Sequence, residues 1–161
     1  MEPELNPDYR ELIELLDKHG VEYLIVGGWA VIGYGYPRFT VDLDVFIRRD
    51  KENAQKLYDA LKEFFSCEPP GITGPKDFLE SDVVQFGTPP NRVDFISRID
   101  GLDFDSASQG RKPFPHVPNC YFISLDGLIR NKLASGRAKD LADAEELMKI
   151  RDAMRNQAED S

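Results

Sequence analysis

Cysteine and histidine are scarce in this 161-residue chain, with two of each. Cys67 and Cys120 lie 53 positions apart and form no metal-spaced pair. With only His19 and His116 beside them, neither a disulfide framework nor a multi-histidine zinc site is expected. Both cysteines are read as small buried hydrophobes, and a reducing cytoplasm as the setting. Long apolar runs are missing too. The longest uncharged stretch, Tyr23 to Pro37, has 15 residues and four glycines, short of the roughly 18 apolar residues a membrane-spanning helix needs. Met1-Glu2-Pro3-Glu4 lacks the basic start and apolar run of an export signal. Positive charge is in deficit: 20 Lys and Arg stand against 29 Asp and Glu, a formal net charge of −9. Such a chain is poorly suited to wrapping extended duplex nucleic acid, which depends on basic surface and displaced counterions. A metal-bridged nucleotide or an RNA end stays compatible with it, because divalent ions then supply the positive charge.

What is present is a globular composition, 41% hydrophobic and 30% charged. The length fits one domain over 1–161, with 124–155 as a C-terminal helical part of the same unit. Asn6-Pro7-Asp8 opens a helix by cap, first-turn proline and acid, and Gly20 closes it. Tyr23-Leu24-Ile25-Val26 reads as a strand ending in Gly27-Gly28. One or two helical turns from Trp29 to Ile32 follow, and strand signals return over Val41 to Ile47. Asp50 caps a helix with Ala54, Leu57, Tyr58, Leu61 and Phe65 facing the core. Residues 66–80 read as loop. Val83 to Phe86 and Arg92 to Ile96 flank a turn-rich segment, the pattern of an antiparallel hairpin. After an irregular stretch, Tyr121-Phe122-Ile123 reads as a short strand. Ser124 caps a helix to about Ser135, with Gly136 beyond it. A last helix starts near Ala138 with Leu141, Ala144, Leu147, Met148 and Ile150 inward, and the tail from Asn156 is expected to fray. Of the aromatics Trp29, Tyr34, Tyr36 and Phe39, most are assigned to core packing, with a stacking role open to one of them.

The most informative segment is Thr40-Val41-Asp42-Leu43-Asp44-Val45-Phe46-Ile47. Alternation on a strand puts Asp42 and Asp44 on one face, about 7 Å apart. Two anions held so close are stabilised by a hard divalent cation with oxygen ligands, such as magnesium. An ordinary solvent-facing strand carries the same pattern, and Asp-x-Asp also occurs in glycosyltransferases and haloacid-dehalogenase-type phosphatases; Val45-Phe46 fits the latter poorly. Asp94, in Arg92-Val93-Asp94-Phe95-Ile96, again interrupts an apolar strand. Placed beside the first strand it brings a third carboxylate to the same pocket, a set suited to two metals about 3.5–4 Å apart. It can also take the acceptor's proton, and a salt bridge to Arg92 or Arg98 is its purely structural alternative. Gly27-Gly28 offers amides unobstructed by a Cβ at a strand-to-helix turn, where phosphate oxygens can be received; a tight turn needs the same glycines. From Arg111 to Lys139 there are six basic residues and one acid, so this segment is +5 and the remainder −14. A basic wall opposite a carboxylate cluster attracts a triphosphate and its metal together.

In combination, Val26-Gly27-Gly28, a 13-residue interval and Asp42-Leu43-Asp44-Val45 resemble the signature of the nucleotidyltransferase superfamily, which has the DNA polymerase beta-like fold. Arg38, Thr40 and the stretch from Lys132 to Asp143 are similar to the minimal nucleotidyltransferases and the AbiEii-like abortive-infection toxin branch. The resemblance covers roughly residues 21 to 148. It implies an α+β fold, with helices packed on a mixed sheet of about four to five strands and C-terminal helices. It implies transfer of a nucleoside monophosphate from a nucleoside triphosphate such as ATP to a hydroxyl of an RNA end, a protein or a small molecule. Asp42, Asp44 and Asp94 would hold magnesium, two ions by expectation with manganese as a substitute. Gly27, Gly28, Arg38, Thr40, Lys132 and Lys139 would serve the nucleotide. A toxin–antitoxin role, with an antitoxin or a second copy as partner, belongs to the same implication. A catalytically silent nucleotide- or protein-binding module on this fold is the alternative.

Overall fold

The computed structural model describes residues 4–160. Met1, Glu2, Pro3 and Ser161, and with them most of the N-terminal segment read above, lie outside the described residues. In chain order the elements are α1 (Pro7–Lys18), β1 (Tyr23–Val26), α2 (Gly27–Gly33), β2 (Asp42–Ile47), α3 (Lys51–Phe65), α4 (Asp77–Glu80), β3 (Val83–Phe86), β4 (Arg92–Ile96), α5 (Phe104–Ser108), β5 (Lys112–Pro113), β6 (Tyr121–Phe122), α6 (Leu125–Ser135) and α7 (Ala138–Glu159). The architecture is α+β. Its mixed open sheet runs in the order β3-β4-β2-β1-β6-β5. Strand β2 pairs antiparallel with β1 and parallel with β4. β3 and β4 form the expected antiparallel hairpin. The sixth strand, β5, is only two residues long and carries a proline, so nothing in its periodicity announced it.

Helices α1, α3 and α6 begin where a side chain satisfies one of their free amides. The carboxamide of Asn6 accepts from the Tyr9 amide, Asp50 from Asn53 and the Ser124 hydroxyl from Gly127. Gly136, at φ +71°, ends α6 in the left-handed conformation that glycine adopts without strain. Leu12, Ile13 and Leu16 of α1 join Leu57 and Leu61 of α3, Leu43, Val45 and Ile47 of β2, and Val93 and Phe95 of β4 in one buried core. Burying side chains of this size supplies about 1.5–3 kcal/mol each, which fixes β2 and β4 rigidly behind their polar face.

Several local expectations change. The stretch 66–80 contains one helical turn, α4, and the irregular region before β6 contains α5; both are too short for a periodic signal. Helix α7 continues to Glu159, so Asn156 is helical rather than frayed. Ala144 and Leu147 are buried as read, but Leu141 is exposed and Ile150 only half-buried. The inward face of α7 near its start is instead taken by Asp140 and Asp143, because buried cations meet it there. Cys120 is buried, but Cys67, just past the end of α3, is exposed. Phe39 is 83% exposed, in contrast to Trp29, which packs edge-on to Tyr9 and Phe114. Among the described residues no helix is long and apolar enough to cross a membrane.

Candidate active site

The parallel pairing of β2 with β4 sets Asp42 opposite Arg92 and Asp44 opposite Asp94. Because side chains alternate, Asp42, Asp44, Arg92 and Asp94 project from the same face, while Leu43, Val45, Val93 and Phe95 enter the core behind them. One carboxylate oxygen from each of Asp42, Asp44 and Asp94 lies within 4.8 Å of the others. The side chains bend together, so the oxygens sit closer than the spacing along the strand suggests.

The cluster is costly in charge. Burial first, then the carboxylates of Asp42 and Asp94, push the Asp44 carboxyl up to about 7, against the opposing pull of Lys132 and Arg92. Arg92 relieves part of the repulsion. Its Nε and Nη2 donate to the two oxygens of Asp94, each at 3.1 Å, and Nη2 lies 3.5 Å from Asp42. Gln85, directly across the hairpin from Asp94, donates its amide to Asp94 Oδ1 at 2.9 Å. The Tyr9 hydroxyl donates to the carbonyls of Pro90 and Arg92, both at 2.8 Å. Through these contacts α1 pins the start of β4 beside the acids; burial, followed by the charges of Asp42, Asp44 and Asp94, pushes the Tyr9 phenol up to about 12.

Gly27 heads α2 with φ +66°, and a Cβ there would come within 2.9 Å of Asp44 Cγ. Glycine is therefore required twice, by conformation and by the approach of the carboxylate. A Cβ on Gly28 would meet the Thr40 hydroxyl at 2.8 Å. Thr40 itself donates to the carbonyl of Asp42 at 3.2 Å, so the diglycine, Thr40 and the two acids of β2 form one contiguous wall.

A cavity of about 200 Å³ opens beside Asp44, lined by Gly27 and Asp44 on the sheet side, Arg98 and Asp100 after β4, and Asn131, Lys132, Ser135, Arg137 and Asp140 from α6 and α7. Lys132 is buried, with its ammonium 3.1 Å from both Asp140 and Asp143. Asp140 also accepts from Ser135 and from Arg137 Nε, the latter at 2.8 Å. Burial works against its charge, but the bonds from Ser135 and Lys132 hold its carboxyl down at about 2. Of the residues expected to serve a nucleotide, Gly27 and Lys132 line this cavity, and Gly28 and Thr40 stand next to it. Arg38 is bonded to Asp143 and Lys139 is exposed on the first turn of α7; neither lines the cavity.

Arg92, Gln85, Asp143 and Arg98 were not singled out as functional from sequence. Arg92 was within reach, since residues two apart on a strand share a face, as was Asp143, one helical turn after Asp140. Gln85 needed the hairpin register, and Arg98 the cavity itself.

A cation fits this donor set. Three oxygen-only ligands converge, one of them with its proton affinity raised by burial and by the two neighbouring carboxylates, which matches the preference of magnesium or manganese for carboxylates.

No protein-family model and no curated protein matches the chain. Solved structures do. ANT(2'')-Ia, in a crystal structure in complex with adenylyl-2''-tobramycin, aligns over 93% of this chain and 96% of its own at 15% identity, with a TM-score of 0.51. A solution structure of the same protein, described as an antibiotic-resistance factor, aligns over 94% and 91% at 13% identity, with a TM-score of 0.52. A Thermotoga maritima chain provisionally named a nucleotidyltransferase aligns over 95% and 96% at 15% identity, with a TM-score of 0.47. At such identities the likeness is one of architecture: the chain shares the fold of ANT(2'')-Ia.

Proposed function

We propose that this protein transfers a nucleoside monophosphate from a nucleoside triphosphate to a hydroxyl acceptor, releasing pyrophosphate. The observation that carries the reading is the convergence of Asp42, Asp44 and Asp94 next to a cavity walled by Lys132, Arg98 and Arg137. Asp42, Asp44 and Asp94 would hold magnesium, which when bound supplies positive charge to the phosphoryl group and to the reacting oxygens. Gly27 and Gly28 would present backbone amides to the triphosphate tail at the strand-to-helix turn beside Asp44. Lys132, with the guanidinium groups of Arg98 and Arg137, offsets the charge of the leaving pyrophosphate; Thr40 packs behind the diglycine, and Lys139, exposed on α7, stays outside the cavity. The acceptor oxygen attacks the α-phosphorus, the bond from that phosphorus to the bridging oxygen breaks, and the hydroxyl proton passes to the carboxylate cluster, with Asp94 as the accepting member. Positioning and charge neutralisation make up most of such catalysis.

Nucleotide binding without transfer is favoured by one observation: Arg92 already supplies a cation to Asp42 and Asp94. The two readings separate on incubation of the protein with each α-labelled triphosphate, magnesium and either a cell extract or an aminoglycoside. The aminoglycoside arm follows from the adenylylated tobramycin held by the structurally similar protein, and a polycationic acceptor suits a chain of charge −9. Label moving to an acceptor supports transfer. Saturable triphosphate binding with no label transferred supports the binding module. The toxin role would appear as growth arrest on expression that Asp44→Asn abolishes.

A further inference from the structure

Arg38 lies just past the middle of the segment between α2 and β2, four residues before Asp42, yet its side chain leaves the carboxylate wall and reaches α7. Its Nη1 donates to Asp143 Oδ2, and both side chains are nearly buried, 14% and 8% exposed. The same Asp143 oxygen lies 3.1 Å from the Lys132 ammonium, which in turn lies 3.1 Å from Asp140 Oδ1. Arg137 then closes on Asp140 from the solvent side. The five groups form a row, Arg38–Asp143–Lys132–Asp140–Arg137, with three cations and two anions. Only the Lys132, Asp140 and Arg137 part of the row lines the cavity.

This ordering has an electrostatic consequence. A buried carboxylate paired with two cations cannot neutralise either one completely. With Arg38 in place, Asp143 divides its charge between Arg38 and Lys132, and the row keeps one net positive charge beside the cavity. Without Arg38, Asp143 would be left to Lys132 alone, and the row would fall to neutral at the point where a polyanion would enter. Arg38 also ties the backbone leading into Asp42 to the helix that carries Asp140 and Asp143.

We propose that Arg38 is a positioning residue: by sharing Asp143 it holds Lys132 in place and leaves the ammonium only partly neutralised at the cavity wall, and it does not itself contact the nucleotide. The inference rests on the proposed nucleotide-binding reading for its functional consequence, but the row of ion pairs stands without it.

The test is a double-mutant cycle of the wild type, Arg38→Gln, Asp143→Asn and the double variant, with Arg38→Lys as a charge-conserving control. Two quantities are read: the unfolding midpoint without ligand, and the dissociation constants of ATP, GTP, CTP and UTP with magnesium by calorimetry. Arg38→Gln should weaken triphosphate binding by about tenfold, the scale of one lost unit charge near a partly buried site. Asp143→Asn added to it restores the net charge of the row, so the double variant should bind within about threefold of wild type. Arg38→Lys should bind better than Arg38→Gln. In transfer assays the loss in Arg38→Gln should appear in KM with kcat little changed. An equal loss from Arg38→Gln with and without Asp143→Asn would mean direct nucleotide contact and overturn the proposal. Additive shifts of the unfolding midpoint would show that the two side chains are uncoupled and overturn it as well. Should the wild type bind no triphosphate, the nucleotide reading fails, and the midpoint cycle alone then decides whether Arg38 acts through Asp143.

Discussion

Asp44 and Asp94 stand opposite one another in the parallel register of β2 and β4, although 50 positions separate them in the chain. Two carboxylates so placed, with Asp42 beside them, are destabilising unless a cation joins them. The protein supplies part of that charge itself through Arg92 and leaves Asp44 undercompensated. The result is a half-buried, undercompensated carboxylate at the edge of a cavity lined by Arg98, Lys132 and Arg137.

Asp42→Asn and Asp44→Asn should fold normally and lose transfer by at least about 100-fold, the scale typical of removing one charge-stabilising group. Asp44→Asn should unfold no earlier than wild type in metal-free buffer at pH 8, since it removes a repelled anion while keeping the shape. Circular dichroism melts alongside the labelled-transfer assay check both halves. Near-normal turnover in either variant would remove the carboxylates from the mechanism.

The raised proton affinity of Asp44 sets the direction of a pH effect. Folded, its carboxyl titrates at about 7; unfolded, near the ordinary aspartate value of roughly 4. Between those limits the folded state holds a proton that the unfolded state does not. This group's contribution to stability therefore falls as pH rises through the window. A bound cation favours the charged carboxylate, so magnesium or manganese should raise the unfolding midpoint more at pH 8 than at pH 5. Comparison with Asp44→Asn, in which this contribution is absent, isolates the effect. An identical metal response at the two pH values would contradict it.

Arg92→Gln removes the internal cation from the cluster. In the presence of a chelator it should lower the unfolding midpoint, because the Asp94 carboxylate loses the guanidinium that donates to both of its oxygens. The Asp94 side chain is 10% exposed. Magnesium should recover much of the loss, giving a larger metal-induced midpoint shift than in wild type, measured by differential scanning calorimetry. A stability change indifferent to metal would reduce Arg92 to an ordinary salt bridge.

The polar face of β2 was legible in the chain because alternation is a local rule: Asp42 and Asp44 share a side wherever that strand lies. Gly27 was legible for the same reason, as the residue type that a strand-to-helix turn at positive φ favours. The capped helices α1, α3 and α6 likewise begin where Asn6, Asp50 and Ser124 announce them. The two-residue β5 and the single turn of α4 were not, being shorter than any period that could reveal them.

What the sequence determined, then, is everything that depends on neighbours along the chain: which residues cap, which alternate, and which acids share a strand face. The tertiary structure alone decided which strand lies beside β2, hence that Asp94 joins the other two acids with Arg92 among them. It also decided that Arg38 turns away from the carboxylate face of β2 to Asp143, and that Lys132 is held between two acids of α7. Charge pairing across 105 positions is set by helix packing and strand order, and neither can be read from the spacing of residues along one segment.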